Sequence, residues 1–450
     1  MIKLFTATFR SLVDFPLKTV LKWHLSPNLE RRLKPLHAPF CQPVSTHKTV
    51  LAEDRLVGFI AKKEFLKEVS SAFRKVFGMI LLHGPLVDEI YLKKRSHGYM
   101  CEVIDRFRFG VRFSPVFDNA FYRLVEKQLI HILEYKYEML QTDCDLSKKY
   151  PYSKPLKLLI SGATGFVGSS LRLFLESFGH DVWSLSRSRK DLDDKTIGWD
   201  FSFSQRGIKR FDAVIHLAGE NIAKGWWTKR KKALILESRQ KNTLKLVEAL
   251  GNLQSIPHTL ISASGVGVYG DCGDEILTED SAQGTPLFLT KVCEFWEHAA
   301  HQIETKSVRV VCARFGMILS PRGGALKKIL FALKVGMGGK IGSGMQYISW
   351  IAMDDVIGAF YHVLMTPHLA GPVNFTSPYP VRNRQFTREL AKATSHFSGL
   401  PIPSCMIRSL LGQKGKELLL SSTRAEPKKL LDSGYYFRFD RLREALQHLI

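Results

Sequence analysis

The chain has 450 residues, of which 45% are hydrophobic and 24% charged, and this is the composition of a globular protein with two or three domains. The formal net charge of +23 would permit contact with nucleic acid or an anionic membrane. However, Lys and Arg are spread along the whole chain without the motif of a nucleic-acid-binding domain, so we interpret the charge as a solvated surface that partly serves phosphate-bearing ligands.

The first 150 residues are predicted to form an α+β domain without a catalytic motif. Apolar residues over 119–140 recur at i, i+3, i+4 and i+7, which predicts a long helix whose stripe is typical of core packing. We expect a curved sheet that grips this helix. The predicted strands cover residues 5–9, 50–60, 79–86, 99–103 and 107–113.

A short linker is predicted at residues 148–155, KKYPYSKP, which carry two prolines and several lysines without periodicity. The stretch also contains a Y-x-x-x-K pattern, Tyr150 to Lys154. We interpret this match as coincidence because it lies outside any predicted helix.

Three glycines follow an apolar run at 158–168, with the spacing G-x-x-G-x-x-G, and a helix is predicted over 169–178. In a dinucleotide-binding unit the first glycine permits the tight turn, the second lets the backbone approach the pyrophosphate, and the third lets the helix pack on the strand. Because both the strand and the helix flank the motif, the sequence predicts a nucleotide site and not merely a tight turn. The residues expected at this site are Gly162, Ala163, Thr164, Gly165, Phe166, Val167 and Gly168.

The next predicted strand, 180–185, ends at Ser186 and Arg187, both of which we place in the cofactor site. An NAD-binding fold usually carries an acid near this corner that accepts from the ribose 2′-hydroxyl. Here no acid is present, and the guanidinium of Arg187 suits a 2′-phosphate. The alternative is a solvated basic loop, but the position favours NADP over NAD.

Further candidate cofactor contacts come from the following strands and helix. Asp200, after a short strand, could hydrogen-bond the adenine amino group. The apolar strand 212–217 ends in small residues, where backbone must approach a dinucleotide. These contacts are Asp200, Leu217, Ala218 and Gly219, together with Arg239, which lies in the helix predicted over 229–250 and could reach a cofactor phosphate.

The strand predicted over 258–263 carries Ser264 at its tip, where a hydroxyl would face the nicotinamide. A helix over 286–304 contains Lys291, and another buried strand covers 307–315. The alternation of strands and helices predicts an α/β Rossmann fold, a doubly wound parallel sheet over 156–371, with a small C-terminal domain over 372–450.

Seven cysteines occur without a C-x-x-C pair, which argues for free thiols in a reducing compartment and against a metal site. The longest apolar runs, such as 76–82, are far short of a membrane span, and the first residues lack the apolar core of a signal peptide. We therefore expect a cytoplasmic protein without membrane insertion or nucleic-acid binding.

Many motifs of the C-terminal two-thirds occur in an order that resembles a known family. They include SGATGFVG at 161–168, LAGENI at 217–222, SAS at 262–264, GSG at 342–344 and LLLS at 418–421. The chain resembles the extended and atypical short-chain dehydrogenases/reductases, within them the YfcH-like branch of sugar-nucleotide epimerase-like proteins. The resemblance implies an NADP-binding epimerase or oxidoreductase that acts on a small, nucleotide-sugar-like substrate. A homo-oligomer is left open.

The N-terminal segment resembles the SRPBCC helix-grip (polyketide cyclase-like) domain. The matching residues are Trp23, His24 and Pro27, Asp105 and Phe107, and Tyr135 and Tyr137. The resemblance implies an apolar cavity that holds a hydrophobic ligand.

One departure from the family concerns the catalytic residues. Short-chain dehydrogenases use Ser, Tyr and Lys, with the last two at Y-x-x-x-K, and the phenol moves the proton. Ser264 and Lys291 fit, whereas Leu287 occupies the tyrosine position. Tyr269 is then the nearest alternative proton donor, and Asp354 or a bound water are others. A non-catalytic NADP(H)-binding sensor or partner-binding protein is the alternative function.

Overall fold

The structure is a computed structural model of the chain. It describes six strands within residues 3–112, some of residues 138–150, and residues 154–450 except 188–193, 204–206, 283, 335 and 395–398. The chain divides into two compact units, Met1–Pro151 and Tyr152–Ile450.

The first unit contains one antiparallel sheet, with the strands in the order β1-β6-β5-β3-β2 and with β4 also paired to β6. Its strands are β1 (Lys3–Val13), β2 (Thr49–Glu53), β3 (Leu56–Lys62), β4 (Leu81–Leu82), β5 (Val87–Lys94) and β6 (Cys101–Arg112).

Two of the predicted strand boundaries in this unit differ from the structure. The segment predicted as one strand over 50–60 is a hairpin of β2 and β3, in which Glu53 lies opposite Leu56. The segments predicted separately at 99–103 and 107–113 form the single strand β6. Apart from Glu138, the helix predicted over 119–140 lies outside the described residues, as do His24 and Tyr135, so the helix-grip resemblance stays a prediction.

The second unit alternates strands and helices. Its strands are β7 (Lys157–Ser161), β8 (Asp181–Ser186), β9 (Thr196–Gly198), β10 (Ala213–His216), β11 (Thr259–Gly265), β12 (Ile276–Leu277), β13 (Arg309–Phe315), β14 (Met317–Leu319), β15 (Tyr347–Ile348), β16 (Trp350–Ala352), β17 (Gly371–Phe375), β18 (Val381–Arg382) and β19 (Arg424–Ala425). Its helices are α1 (Phe166–Ser177), α2 (Lys229–Gly251), α3 (Phe288–His301), α4 (Gly324–Lys334), α5 (Met353–Met365), α6 (Asn383–Thr394), α7 (Ser404–Gly415), α8 (Lys428–Asp432) and α9 (Leu442–Leu449).

A seven-stranded sheet forms the centre of this unit, in the order β9-β8-β7-β10-β11-β13-β17, and every neighbouring pair in it is parallel. Buried residues lie side by side on neighbouring strands, since Ile160 pairs with Ile215 and Ile261 pairs with Val311. Strands buried on both faces need continuous apolar runs, and the sequence has them. The predicted doubly wound α/β sheet is therefore confirmed. The strand order changes direction between β7 and β10, where ligands bind in such folds.

Apolar contacts hold the helices on the sheet. Phe174 of α1 and Phe178, the residue that follows this helix, contact Tyr361 of α5, with ring centroids 5.3 and 5.2 Å apart. On α2, Leu246 and Leu250 belong to the same buried cluster as residues of β7, β10 and β11. These contacts fix the two helices that begin beside the strand tips.

The last part of the chain packs against the sheet unit. Asp355, at the start of α5, accepts hydrogen bonds from the backbone N–H groups of Arg438 and Phe439, at 2.7 and 3.0 Å. Its neighbour Asp354 contacts His448 of α9 at 3.0 Å. Asp354 is thus part of the packing of the C-terminal helix. Within the described residues, no helix has the length and apolar character that crossing a bilayer requires.

Candidate functional site

Two glycines at the turn between β7 and α1 leave no room for a side chain. Gly162 has a φ of +73°, which side-chain-bearing residues rarely adopt, and a Cβ there would lie 3.1 Å from the Ala218 backbone nitrogen. At Gly168 a Cβ would lie only 2.2 Å from the Gly162 carbonyl oxygen. The turn therefore brings α1 and the tip of β10 against the same glycine.

The N-terminus of α1 opens at this turn. Gly165 is its N-cap, no described side chain caps the helix, and its first turn carries no acidic residue. Gly165 and Thr164 are exposed. Unpaired N–H groups and the helix dipole at such an end favour an anion, so the geometry fits a pyrophosphate.

Two other residues of the glycine motif point into the protein. Ala163 is buried, and the ring of Phe166 packs against the loop before α4, because a Cβ at Gly323 would lie 2.8 Å from that ring. Val167 is half-buried. The glycine motif therefore shapes the turn and also contacts the loop before α4.

A buried hydrogen-bond chain holds the tip of β10. Ser161 Oγ accepts from the N–H groups of Leu217 and Ala218 at 3.1 and 3.3 Å, so its own proton points to His216 Nδ1, 2.6 Å away. His216 Nε2 then donates to Thr243 Oγ1 at 2.9 Å, a tautomer assigned from this network. Burial and the charge of Arg239 lower the pKa of His216 to about 3, so the ring stays neutral. The sequence did not lead us to predict this hydrogen-bond chain, although His216, a polar residue at the end of an apolar strand, was a signal for it.

Arg187 lies where the sequence placed it, directly after Ser186 at the end of β8, and its side chain is exposed. It is near Glu220: a hydrogen bond from Lys231, together with the charges of Lys231, Arg187 and Arg239, lowers the pKa of Glu220. Asp200 is also exposed, and its carboxylate lies 2.8 Å from the position of a Cβ at Gly198. Both groups are accessible to a ligand at this edge of the sheet.

Arg239 of α2 supports the loop after β10. Its Nη1 donates to the carbonyl oxygens of Glu220 and Ile235 at 3.0 and 3.2 Å, and its guanidinium lies 4.8 Å from the centre of the Trp296 ring. A Cβ at Gly219 would lie 3.2 Å from the guanidinium carbon. In this arrangement Arg239 packs against Gly219, and the hydrogen bonds of its Nη1 are made within the protein.

Ser264 takes part in a buried ionic network. Its hydroxyl donates to Glu297 Oε1 at 2.6 Å, and Arg314 binds both oxygens of that carboxylate, at 2.9 and 2.8 Å. Burial alone would lower the pKa of Arg314, but the hydrogen bonds and charge of Glu297 raise it. Fork-to-fork pairing of this kind is strong and fixes geometry. The Ser264 hydroxyl is therefore oriented into the protein.

Tyr269 continues the same network. Only 1% of the residue is exposed, its hydroxyl donates to Asn374 Oδ1 at 2.8 Å, and it accepts from Arg314 Nη1 at 3.0 Å. Burial raises the pKa of this phenol. A general acid must reach its substrate, so this enclosed position does not support the proton transfer that the sequence left open for Tyr269.

The start of α3 lies beside the tip of β11. Leu287 is the N-cap, and its N–H donates to Thr290 Oγ1 at 3.0 Å, while that hydroxyl donates to the Gly267 carbonyl at 3.1 Å. Lys291, one turn into the helix, is exposed. The structure therefore presents an accessible ammonium and an alkyl side chain where the family pattern has lysine and tyrosine.

Comparison with known proteins identifies similar chains. The pattern of the NAD dependent epimerase/dehydratase family matches residues 158–375, and a domain of unknown function (DUF1731) matches residues 402–449. The epimerase family protein Mb2239 of Mycobacterium bovis is 36% identical over 64% of this chain and 95% of its own length. The epimerase family protein YfhF of Bacillus subtilis is 34% identical over 66% of this chain and 98% of its own length.

Two solved structures are also similar. The human epimerase family protein SDR39U1 (isoform 2), crystallised with NADPH, has a TM-score of 0.61 and 31% identity over 65% of this chain and 98% of its own. A nucleoside-diphosphate sugar epimerase from Corynebacterium glutamicum has a TM-score of 0.72 and 27% identity over 98% of this chain and 90% of its own.

Proposed function

Because this chain belongs to the NAD dependent epimerase/dehydratase family, we propose that it is an NADP(H)-dependent enzyme of the epimerase or oxidoreductase type. Its substrate would be a small molecule of nucleotide-sugar-like chemistry. The observation that carries the proposal is the uncapped N-terminus of α1 behind a glycine turn that excludes side chains. A bound nicotinamide would supply hydride transfer.

Different residues of the chain bind different parts of the cofactor. The N–H groups at the start of α1 bind the pyrophosphate, and the Leu217–Gly219 backbone, fixed by Ser161 and Arg239, passes beside the dinucleotide. The exposed fork of Arg187 binds the 2′-phosphate. The NADPH bound to the human relative supports the preference for NADP(H) over NAD(H).

Proton movement needs a group other than a tyrosine on α3. Leu287 cannot move a proton, and the hydroxyls of Ser264 and Tyr269 are engaged in the buried network around Glu297. Lys291 is the exposed ionisable side chain one turn from Leu287. We assign it, or a water held beside it, to the proton transfer.

Calorimetric titration with NADPH and NADH tests the cofactor assignment. We expect tighter binding of NADPH, and Arg187→Ala should weaken it by about 1.5–3 kcal/mol through the loss of a charge-assisted bond, with NADH unchanged. Equal affinities for both cofactors, or an Arg187→Ala variant that binds NADPH as well as the parent protein does, would contradict the assignment.

A second candidate is a non-catalytic NADP(H)-binding sensor. Leu287 at the N-cap of α3 favours it, because no phenol is available there. Nucleotide sugars, aldehydes and ketones should be tested as substrates while the absorbance of NADPH is followed. Turnover of any of them supports the enzyme, whereas tight NADPH binding without turnover across the panel supports the sensor.

We also propose three domains, at 1–150, 156–371 and 372–450, of which the first holds a hydrophobic ligand. The support is the antiparallel sheet of the first unit together with the helix-grip resemblance. Binding of fatty-acid probes to residues 1–150 within the full chain tests this, and a chain that takes up no apolar probe would oppose it.

A further inference from the structure

The C-terminal segment turns sharply at Gly412. This residue has a φ of +55° and a ψ of −137°, which interrupts α7. Three residues later, Gly415 packs so closely that a Cβ would lie 2.7 Å from Leu411 and 2.8 Å from Ile407. The kink and the close packing direct the segment Gln413–Glu417 towards the start of α3.

Glu417 caps α3, although 129 residues separate it from Phe288 in the sequence. Its Oε1 accepts from the Phe288 N–H at 3.1 Å, and its Oε2 accepts from the Leu289 N–H at 2.9 Å. Leu287 at the N-cap offers no side-chain acceptor. A carboxylate at this end pairs otherwise orphaned N–H groups and interacts favourably with the helix dipole. Only 8% of Glu417 is exposed, so water screens the interaction poorly.

The same segment also binds the loop after β10 and the start of α2. Gln413 donates to Glu417 Oε1 at 2.7 Å and accepts from Lys232 Nζ at 2.9 Å. Lys414 Nζ donates to the Gly225 carbonyl oxygen at 2.8 Å. The Trp227 ring of this loop meets the Phe288 ring of α3 at 5.2 Å. The loop, the start of α3 and the C-terminal segment thus form one connected unit.

We propose that Glu417 is a positioning residue of the active site. It holds the first turn of α3, and with it Lys291, in place, and through Gln413 it ties this turn to Lys232 at the start of α2, the helix that follows the loop after β10. The segment that matches the domain of unknown function would then complete the site that residues 158–375 begin. This inference rests on the proposed function insofar as that function assigns the proton transfer to Lys291 and places the cofactor beside the strand tips.

Hydrogen exchange followed by mass spectrometry, on peptides that span 287–290, tests the cap directly. Glu417→Ala should raise the exchange rate there by roughly tenfold, the equivalent of one lost hydrogen bond. Glu417→Gln, which keeps one carbonyl acceptor, should restore part of the protection. Glu444→Gln removes an exposed carboxylate of α9 and serves as the control.

NADPH affinity is measured on the same four proteins. We expect Glu417→Ala to weaken binding several-fold, Glu417→Gln less, and the control not at all, with similar unfolding midpoints for the parent and Glu417→Gln. Unchanged exchange at 287–290 in Glu417→Gln would overturn the proposal, even if Glu417→Ala fails to fold. A faster exchange with unchanged NADPH affinity would overturn the positioning role. If the parent protein binds no NADPH, the proposed function fails, while the exchange result still decides whether Glu417 caps α3.

Discussion

Substituting Gly168 by alanine tests the central geometry of the cofactor site. The added Cβ would lie 2.2 Å from the Gly162 carbonyl oxygen and 2.9 Å from its carbon, whereas real Cβ atoms keep at least 3.0 Å. The turn and α1 must therefore separate by about 0.8 Å. The helix cannot move freely, because Leu171, Phe174 and Leu175 are completely buried. Overpacking of this kind costs about 1–3 kcal/mol of unfolding free energy.

The same displacement moves the helix N–H groups away from the pyrophosphate. Loss of a hydrogen bond to a charged group weakens binding by about 1.5–3 kcal/mol, which is roughly 10- to 100-fold in Kd. Calorimetry with NADPH gives the affinity, and urea unfolding gives the stability. Ser170→Ala, on the same helix, is the control. A folded Gly168→Ala protein that binds NADPH within about threefold of the parent would refute the reasoning, since that helix shift should already cost tenfold.

Three further outcomes concern Tyr269, His216 and Leu287. Tyr269→Phe should lower the free energy of unfolding by about 1–3 kcal/mol because two buried partners lose the hydroxyl. It should change any turnover by less than about tenfold, and a larger loss would restore Tyr269 as a proton donor. Because the pKa of His216 is lowered to about 3, the unfolded chain binds more protons below its ordinary value of 6.5. The contribution of His216 to stability should therefore fall by about 1.4 kcal/mol for each unit by which the pH is lowered from roughly 6.5 to 3, and it should be constant above that range. In urea titrations His216→Gln should lack this contribution when it is compared with the parent protein. Leu287→Tyr should gain ketone reductase activity, and its complete inactivity would indicate a site remodelled for binding.

Local patterns in the sequence were sufficient for the central fold. The strand predicted over 212–217 is β10, Ala213–His216, and the helix predicted over 229–250 is α2, Lys229–Gly251. A buried parallel strand must be an apolar run, and a packed helix must repeat its apolar residues every turn, so each segment carries its own signal. The glycine turn is equally local, since the steric restriction at Gly168 comes from a residue six positions earlier.

Boundaries were less accurate where a distant group sets them. The helix predicted from 286 begins at Phe288, where Glu417 supplies the acceptors for its first N–H groups. In the first unit the missed boundary was local: residues 50–60 were predicted as one strand although the charged residues at 53–55 separate two apolar runs, which the structure pairs as a hairpin.

The directions in which the side chains of the site point could be determined only from the tertiary structure. From the sequence, Tyr269 was a candidate donor because it follows Ser264 closely; in the fold its hydroxyl lies against Asn374, 105 residues away. Ser264 likewise meets Glu297, and neither residue has a local pattern that predicts the other. Secondary structure is favoured by interactions between residues a few positions apart, and such interactions can be predicted from the local sequence. A buried polar contact instead depends on which segments the completed fold brings together, and on the need of each desolvated group for a partner.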